Sequence, residues 1–430
     1  MVSIVVGLAL LIALSYIGWS IIWVAPLAAG VVALLSGMNF FEVYTDTYMS
    51  GLGNFVKSWF PLFLLGAIFG KLMEATGAAK SIAIKVSELI GKKRALLGVL
   101  IATAVLNYGG VSVFVIVFAI YPIALELFRE ANISRKLIAP TIMLGIGTFA
   151  MAAIPGTPQI QNLIPMPYFN TSPTAAPVIG IVTALIMAVG GYLFLVAAQK
   201  RLSAKGEGFT EPKNVNAQDE ADGADAKLPN WLLSLVPLLL VIIFLNIVKI
   251  QPIYALGIGI LAIMLLNWKE RKKFIPAINA GGAGSVVAVL NTSAAVCFGA
   301  VIVVVPAFEG ITDFLFNLSS NPLVAEALSV SLMSIITGSA SGGQGIALEA
   351  YGATFNELAL SSGINPEVFH RIASVASSAS AVPNNGALLT ILAVTGLTHK
   401  ETYKYVFVVG LLIPAIATAV GVIMGAIGIV

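Results

Sequence analysis

The stretch ALLGVLIATAVLNYGGVSVFVIVFAIYPIALELF, residues 95–128, decides how the fold of this chain is predicted. It is strongly apolar and roughly 35 residues long, whereas about 20 apolar residues in a helix cross the hydrocarbon core of a bilayer. The sequence Asn107-Tyr108-Gly109-Gly110 interrupts it near the middle. One straight helix therefore fits poorly, and we predict a re-entrant hairpin of two helices that enters and leaves the membrane from the same side.

A second stretch, residues 322–360, has the same character. It is similarly long and apolar, and the glycine-rich sequence GSASGGQG at 338–345 divides it. We predict a second re-entrant hairpin here, with its tip at this polar sequence.

The composition of the whole chain is typical of a helical membrane protein with many spans. Of its 430 residues, 58% are hydrophobic and only 10% are charged, and the charged residues cluster in a few loops, whereas a soluble protein needs charge over its surface. We predict an all-α fold in which the first apolar run is retained as a span and is not a cleaved signal peptide. The predicted crossings lie at about 2–17, 19–37, 59–76, 137–153, 175–198, 231–248, 252–267, 285–305, 367–382 and 405–428.

The positions of lysine and arginine support the two hairpins, because these residues favour the cytoplasmic side in short loops. With both hairpins in place, most of the 23 basic residues fall on one face of the membrane, including the cluster at 269–273. The polar segment at 200–230 lies on the same face, and its composition predicts a flexible connector. We therefore expect a cytoplasmic linker and two external termini.

The linker separates two halves that resemble each other. Gly66 and Gly77 match Gly299 and Gly310 at one constant spacing, and the two hairpin tips match at nearly the same spacing. Each half contains five crossings, and an odd number reverses the orientation of the second half, as in the inverted repeats of secondary transporters. The predicted organisation is a first inverted repeat at 1–199, the linker at 200–230 and a second inverted repeat at 231–430.

Four polar breaks interrupt the apolar sequence: the two hairpin tips, PGTPQIQN at 155–162 and AVPNNG at 381–386. Irregular backbone at membrane depth survives only where protein or a water-filled cavity surrounds it, so we expect the breaks to meet around one cavity. Helix N-termini there offer free N–H groups and partial positive charge, which suit a carboxylate. The alternative for any one amide or hydroxyl is a structural role between helices. The predicted substrate-binding residues are Asn107, Gly109, Gly110, Ser112, Thr157, Gln159, Ser339, Ser341, Gly343, Asn384 and Asn385.

No metal site is expected, because Cys297 is the only cysteine and the two histidines, His370 and His399, lack ligand-type spacing with it. We also expect no cofactor and no nucleic-acid partner. The candidates for carrying a coupling proton are Glu349, which follows the third break by one or two turns, and His370, which begins the span leading to the fourth. The alternative for His370 is an interfacial histidine that faces water beside Arg371.

The segments GKLMEATGAAKSIA at 70–83 and VPNNGALLTILAVTGLTHKETYK at 382–404 resemble the gluconate permease (GntP) family of bacterial symporters, within the wider ion-transporter superfamily. The resemblance implies proton-coupled import of small hydroxy-monocarboxylates such as gluconate, sugar acids or 3-hydroxybutyrate across the bacterial cytoplasmic membrane, and a homodimer. It also implies a substrate-site role for Pro383, Asn385 and Gly386. The family typically has histidine where Asn384 stands, and asparagine cannot carry a proton.

Sodium coupling through backbone carbonyl groups, as in other branches of the superfamily, therefore stays open. A passive anion channel is a further alternative, but it calls for a continuous polar stripe or charged rings. An intramembrane hydrolase built on Ser341 and His370 is a third, and neither a nucleophile elbow nor a zinc-binding HExxH sequence supports it.

Overall fold

The computed structural model describes residues 2–16, 19–91, 94–212, 228–306, 321–383 and 385–430. All regular structure within these residues is helical, which confirms the all-α prediction. The sixteen principal helices are α1 (Val2–Tyr16), α2 (Ile21–Leu35), α3 (Ser50–Ala75), α4 (Ala78–Ile90), α5 (Ala95–Tyr108), α6 (Val113–Glu130), α7 (Ile138–Ile146), α8 (Pro177–Ala204), α9 (Trp231–Asn246), α10 (Pro252–Leu266), α11 (Phe274–Val303), α12 (Pro322–Thr337), α13 (Ala340–Ser362), α14 (Pro366–Ser377), α15 (Gly386–Thr395) and α16 (Ile413–Ala426).

Shorter helical segments extend or link these helices. The segments Phe40–Glu42 and Val43–Met49 precede α3, and His399–Phe407 precedes α16. Counting linked helical segments together, five helical stretches in the described part of the chain are long and apolar enough to cross a membrane. They are Phe40–Ala75, Arg135–Ala153, Pro177–Ala204, Trp268–Val303 and His399–Ala426.

Both long apolar stretches are broken into two helices, as predicted. In the first, α5 and α6 run antiparallel, because Gly98 near the start of α5 lies against Leu127 near the end of α6. The chain turns through Gly110, whose φ of 93° is accessible chiefly to glycine. In the second, α12 ends at Gly338 with a φ of 62°, and α13 packs back against α12. The re-entrant course and the inverted symmetry stay predictions.

Helix α4 was not predicted, although it contributes to the core. Its sequence AAKSIAIKVSELI alternates apolar and charged residues, so its overall hydropathy is too low for a span. One face buries Ala79, Ile82 and Ala83, while Lys85 and Glu88 pair on the other face at 3.1 Å. The helix is amphipathic and was missed because we searched for continuous apolar runs.

Two predicted spans are shorter in the structure than in the sequence analysis. The span at 137–153 is interrupted after α7 by Gly147 and Thr148, and the span at 367–382 ends as a helix at Ser377. Side chains from elsewhere hold the freed backbone groups: Asn107 Nδ2 donates to the carbonyl oxygen of Ile146 at 3.0 Å. The non-helical segments therefore extend beyond the proline- and glycine-containing sequences that predicted them.

The two halves of the chain interlock. Helix α3 of the first half packs along α11 of the second, where Gly281 allows close approach of the backbone at Ile68. Helix α15 of the second half packs against α6 and α7 of the first. Helices of the two halves are thus in contact with each other, and the division into two repeats and a linker stays a prediction.

The beginning of the linker forms ion pairs with the first hairpin. Lys136 Nζ pairs with Glu207 Oε2 at 2.6 Å, and Arg129 Nε pairs with Glu211 Oε1 at 2.8 Å. The hydrogen bond from Lys136 lowers the pKa of Glu207. Residues 205–212 thus contact the base of the first hairpin, while residues 213–227 lie outside the described residues, and the flexible linker stays a prediction.

Candidate functional site

A cavity of about 490 Å³ lies between the tip of the second hairpin, the start of α15, the end of α7 and one face of α11. Its described lining contains no Asp, Glu, Lys, Arg or His side chain. The volume is in the range of small-molecule sites. Polar groups enter from several elements and include Gln161, Asn291, Thr292, Thr337, Ser339, Ser341, Ser380 and Asn385.

The N-terminus of α13 lies at this cavity. Ser339 is the N-cap, and its Oγ accepts a hydrogen bond from Gly342 N at 3.1 Å. The first donor within the helix is Gly343 N, which bonds to the carbonyl oxygen of Ser339 at 2.9 Å. The N–H groups of Ala340 and Ser341 precede both bonds, and both residues line the cavity.

The N-terminus of α15 repeats this arrangement. Asn385 is the N-cap, and its Oδ1 accepts from Leu388 N at 2.9 Å, while Leu389 N donates to the carbonyl oxygen of Asn385 at 2.9 Å. The N–H groups of Gly386 and Ala387 again precede these bonds, and both residues line the cavity. Two capped helix N-termini therefore meet at one uncharged cavity, where their partial positive charges favour an anion.

Four predicted residues line the cavity: Ser339, Ser341, Asn385 and Gly386. Both polar atoms of the Asn385 amide are already used, because its Nδ2 donates to the carbonyl oxygen of Ser380 at 3.0 Å. Asn385 therefore positions the helix N-terminus. Asn384 lies outside the described residues.

Replacing Asn385 by alanine removes the cap of α15 and the bond to Ser380 together. We expect the free energy of unfolding to fall by about 1 kcal/mol, the usual value for an N-cap. Asn385→Ser keeps the cap acceptor, so it should retain more stability than Asn385→Ala. Thermal unfolding of the three purified proteins measures this, and equal melting temperatures for all three would contradict the capping role.

The predicted residues of the first hairpin tip do not line the cavity. The four polar breaks were predicted to meet around one cavity, and this tip does not take part. Asn107 is fully buried and caps α7, Gly109 lies against Leu238, and Gly110 lies against Pro158. Ser112 lies against Gly70. The first hairpin reaches the cavity through Val113 alone among the described lining residues.

Four other predicted residues do not line the cavity and instead pack or form hydrogen bonds within the protein. Gln159 Nε2 donates to the carbonyl oxygen of Asn107 at 2.7 Å, and Thr157 is fully buried beside it. Gly343 packs against the backbone of Ser334. The carbonyl oxygen of Pro383 accepts a hydrogen bond from His399 Nε2 at 2.8 Å.

Glu349 and His370, the two proton candidates, also lie away from the cavity. Glu349 is exposed and lines a second cavity of about 450 Å³, where Tyr168 donates to its Oε2 at 2.9 Å. His370 is fully buried, so the interpretation as a water-facing histidine is wrong, and its Nδ1 lies 2.6 Å from Thr171 Oγ1.

Arg371, next to His370, has a structural role that the sequence analysis missed. Its guanidinium is fully buried and donates to the carbonyl oxygens of Ala175 and Pro173 and to Asn162 Oδ1, which it reaches at 2.8 Å. Asn162 in turn donates to the carbonyl oxygen of Thr157 at 2.9 Å. Arg371 thereby holds the second break against α14.

Two residues that line the cavity, Asn291 and Thr292, were not predicted from the sequence, although a polar pair in a mostly apolar helix was a usable signal.

The comparison with known protein families decides the identity of the chain. The model of the GntP family permeases matches residues 1–258. The chain belongs to this family. As a GntP family permease it is a transporter with many membrane spans, which agrees with its helical fold and confirms the resemblance.

Relatives of this GntP permease are transporters as well. It is 37% identical to YxjC, an uncharacterized transporter of Bacillus subtilis, over the full length of both chains. It is 28% identical to an uncharacterized transporter of Haemophilus influenzae over 72% of this chain and 71% of the relative. The YdaH transporter of Alcanivorax borkumensis has a similar fold, with a TM-score of 0.57 and 14% identity over 88% of this permease and 87% of YdaH.

Proposed function

We propose that this GntP permease is a secondary active transporter that imports a small hydroxy-monocarboxylate, such as gluconate, another sugar acid or 3-hydroxybutyrate, together with a cation. The observation that carries the proposal is the pair of capped helix N-termini at one cavity without ionisable side chains. Four N–H groups, those of Ala340, Ser341, Gly386 and Ala387, are available there for one carboxylate. A single anion fits this arrangement better than a cation does.

The remaining polar side chains of the cavity fit hydroxyl groups. Asn291, Thr292 and Thr337 line it and are uncharged, so they discriminate hydroxylated from plain carboxylates by hydrogen bonding. A cavity of about 490 Å³ accommodates a six-carbon sugar acid. Asn384 stands where the family typically has histidine, and it is the position at which we expect substrate preference within the family to differ.

We favour the proton as the coupling ion, as the family resemblance implies. Sodium is the second candidate, and a specific observation supports it: the side-chain oxygens of Gln161 and Gln344 are buried without hydrogen-bond partners, and Gln344 Nε2 donates to the carbonyl oxygen of Gln161 at 2.9 Å. Carbonyl-type oxygens suit a hard cation. We further propose that the protein is a homodimer in the bacterial cytoplasmic membrane, with both termini external and the linker in the cytoplasm.

The decisive variant is Ser341→Asp, with Ser341→Asn as its matched neutral control. Aspartate in the first turn of α13 is favourable for the helix, so the protein should fold. At about 5 Å and an effective dielectric constant of about 20, it repels a bound carboxylate by about 3 kcal/mol, or at least a hundredfold in affinity. Binding is measured as the rise in melting temperature that each hydroxy acid produces.

Binding of gluconate or 3-hydroxybutyrate to Ser341→Asp with the affinity of Ser341→Asn would contradict a carboxylate at these helix N-termini. Uptake by the wild-type protein in vesicles then separates the coupling ions. Accumulation driven by an inward proton gradient supports the first candidate, and accumulation that needs a sodium gradient supports the second. Equilibration without accumulation under either gradient would indicate a passive channel.

A further inference from the structure

We propose that Glu326, on the first helix of the second hairpin, is the proton-binding site of this transporter. The inference rests on the proposed function, since it names the group through which proton coupling would act. Of the two candidates from the sequence, Glu349 is exposed, and His370 is fully buried with an unpaired Nε2 but has its Nδ1 hydrogen-bonded to Thr171 Oγ1 at 2.6 Å. In Glu326 both carboxyl oxygens are unpaired.

The surroundings of Glu326 are the first argument. Its side chain has an exposed fraction of 0%, and neither Oε1 nor Oε2 has a hydrogen-bond partner. Leu323 and Val330, one turn before and one turn after it on the same face of α12, are also fully buried in an apolar cluster. Ser329, buried one turn after Glu326, uses its hydroxyl to donate to the carbonyl oxygen of Ala325 at 2.7 Å, so the carboxyl group lies in a largely apolar environment.

An enclosed carboxyl group of this kind must carry its proton. An unpaired carboxylate costs several kcal/mol in such a place even after relaxation, and within the described part of the chain no Lys, Arg or His side chain pairs with Glu326 to offset that. Even the neutral acid leaves a hydrogen-bonding group unsatisfied, which costs about 1–3 kcal/mol. An apolar residue would avoid this penalty, so a glutamate here is explained by proton binding better than by stability.

Four helices pack against α12, namely α1, α13, α14 and α16, and their other titratable groups do not pair with Glu326. Glu349 accepts from Tyr168, Glu357 is exposed, and Glu367 accepts from Ala176 N at 3.0 Å. His370 contacts Thr171, and Arg371 donates to backbone carbonyls. Tyr351 lies on α13 with other contacts, α16 has no titratable residue, and α1 has only Tyr16.

The position of Glu326 on α12 connects it with the cavity. It lies about three helical turns before Thr337, and Thr337 and Gly338 line the cavity at the other end of the same helix. One helix therefore has the proton site near its start and the proposed substrate near its end. A movement of the hairpin that hydrates Glu326 releases the proton, and the ionised group then opposes return to the present packing. Proton binding accordingly stabilises the conformation described here.

The test is Glu326→Gln, which keeps the size and neutrality of the protonated acid but cannot release a proton. We expect it to bind gluconate and to exchange internal for external gluconate in vesicles. Accumulation driven by a proton gradient should fall to equilibration, a ratio of about one, and the pH dependence of exchange should become flat. Glu357→Gln, on the exposed side of α13, is the matched control and should retain both properties.

Full proton-driven accumulation by Glu326→Gln, with the wild-type pH profile, would overturn the inference and leave the proposed function intact. Wild-type protein that accumulates gluconate only with sodium would instead overturn the proposed proton coupling itself. Should Glu326→Gln not fold, wild-type protein is treated with a hydrophobic carbodiimide, which modifies protonated carboxyl groups. Modification at Glu326 that slows as pH rises supports the proton site, whereas its absence or pH-independence contradicts it.

Discussion

Replacing Arg371 by methionine should destabilise this permease by about 3–5 kcal/mol, enough to prevent accumulation of folded protein in the membrane. Five acceptors lose a charged donor: Asn162 Oδ1 and the carbonyl oxygens of Ala152, Ala153, Pro173 and Ala175, the last of which receives both Nε and Nη2 at 2.9 and 2.7 Å. An unsatisfied buried acceptor costs about 1–3 kcal/mol. The sum is reduced by partial relaxation and because the carbonyl oxygen of Pro173 keeps two other donors, Gly156 N and Asn162 Nδ2, both at 2.9 Å. Thermal unfolding in detergent and the yield of folded protein measure the effect.

Lysine at this position should not rescue stability, although it keeps the charge. Its single ammonium group cannot span the carbonyl oxygens of Ala175 and Pro173 and the Asn162 amide in the fixed fork of a guanidinium. Arg201→Met, at the exposed end of α8, is the control and should change stability by less than about 0.5 kcal/mol. Wild-type melting temperature in Arg371→Lys would show that one cation suffices and that the fork is dispensable.

The second large effect is expected for Gly343→Ala in α13. A methyl group there would overlap the backbone nitrogen and Cα of Ser334 on α12, and backbone atoms cannot rotate away. The two arms of the second hairpin must separate, at a cost of about 1–3 kcal/mol or more. Because the separation begins at the tip that lines the cavity, gluconate binding should weaken together with thermal stability.

Gly66→Ala in α3 is the matched control, since a methyl group at this helical glycine meets no other atom within 4 Å. It should be neutral or slightly stabilising, because alanine is the better helix former. Unchanged stability and binding in Gly343→Ala would mean that the hairpin arms are less closely packed than described. The comparison separates close packing from the general effect of a glycine replacement.

The sequence alone determined the features that depend on local chemistry. Stretches too long for one helix and divided by glycine had to turn back, and the turns at Gly110 and Gly338 have the positive φ that glycine allows. The helix N-termini at Ser339 and Asn385 follow from the same local rules, because Ser and Asn are preferred N-caps. The family resemblance, carried by short motifs, was confirmed by the family model over residues 1–258.

Only the tertiary structure decided which polar side chains face the cavity and which hold the fold together. An amide in a broken segment can bind a substrate or cap a neighbouring helix, and the choice depends on what lies across from it. Asn107 meets the end of α7, and Gln159 meets the first hairpin tip, so both are structural. Arg371 and Glu326 lie in predicted membrane segments, which marks both as candidates, but the sequence does not show what surrounds either side chain. Their burial arises from helices distant in sequence, and burial is what gives an ionisable group its energetic weight.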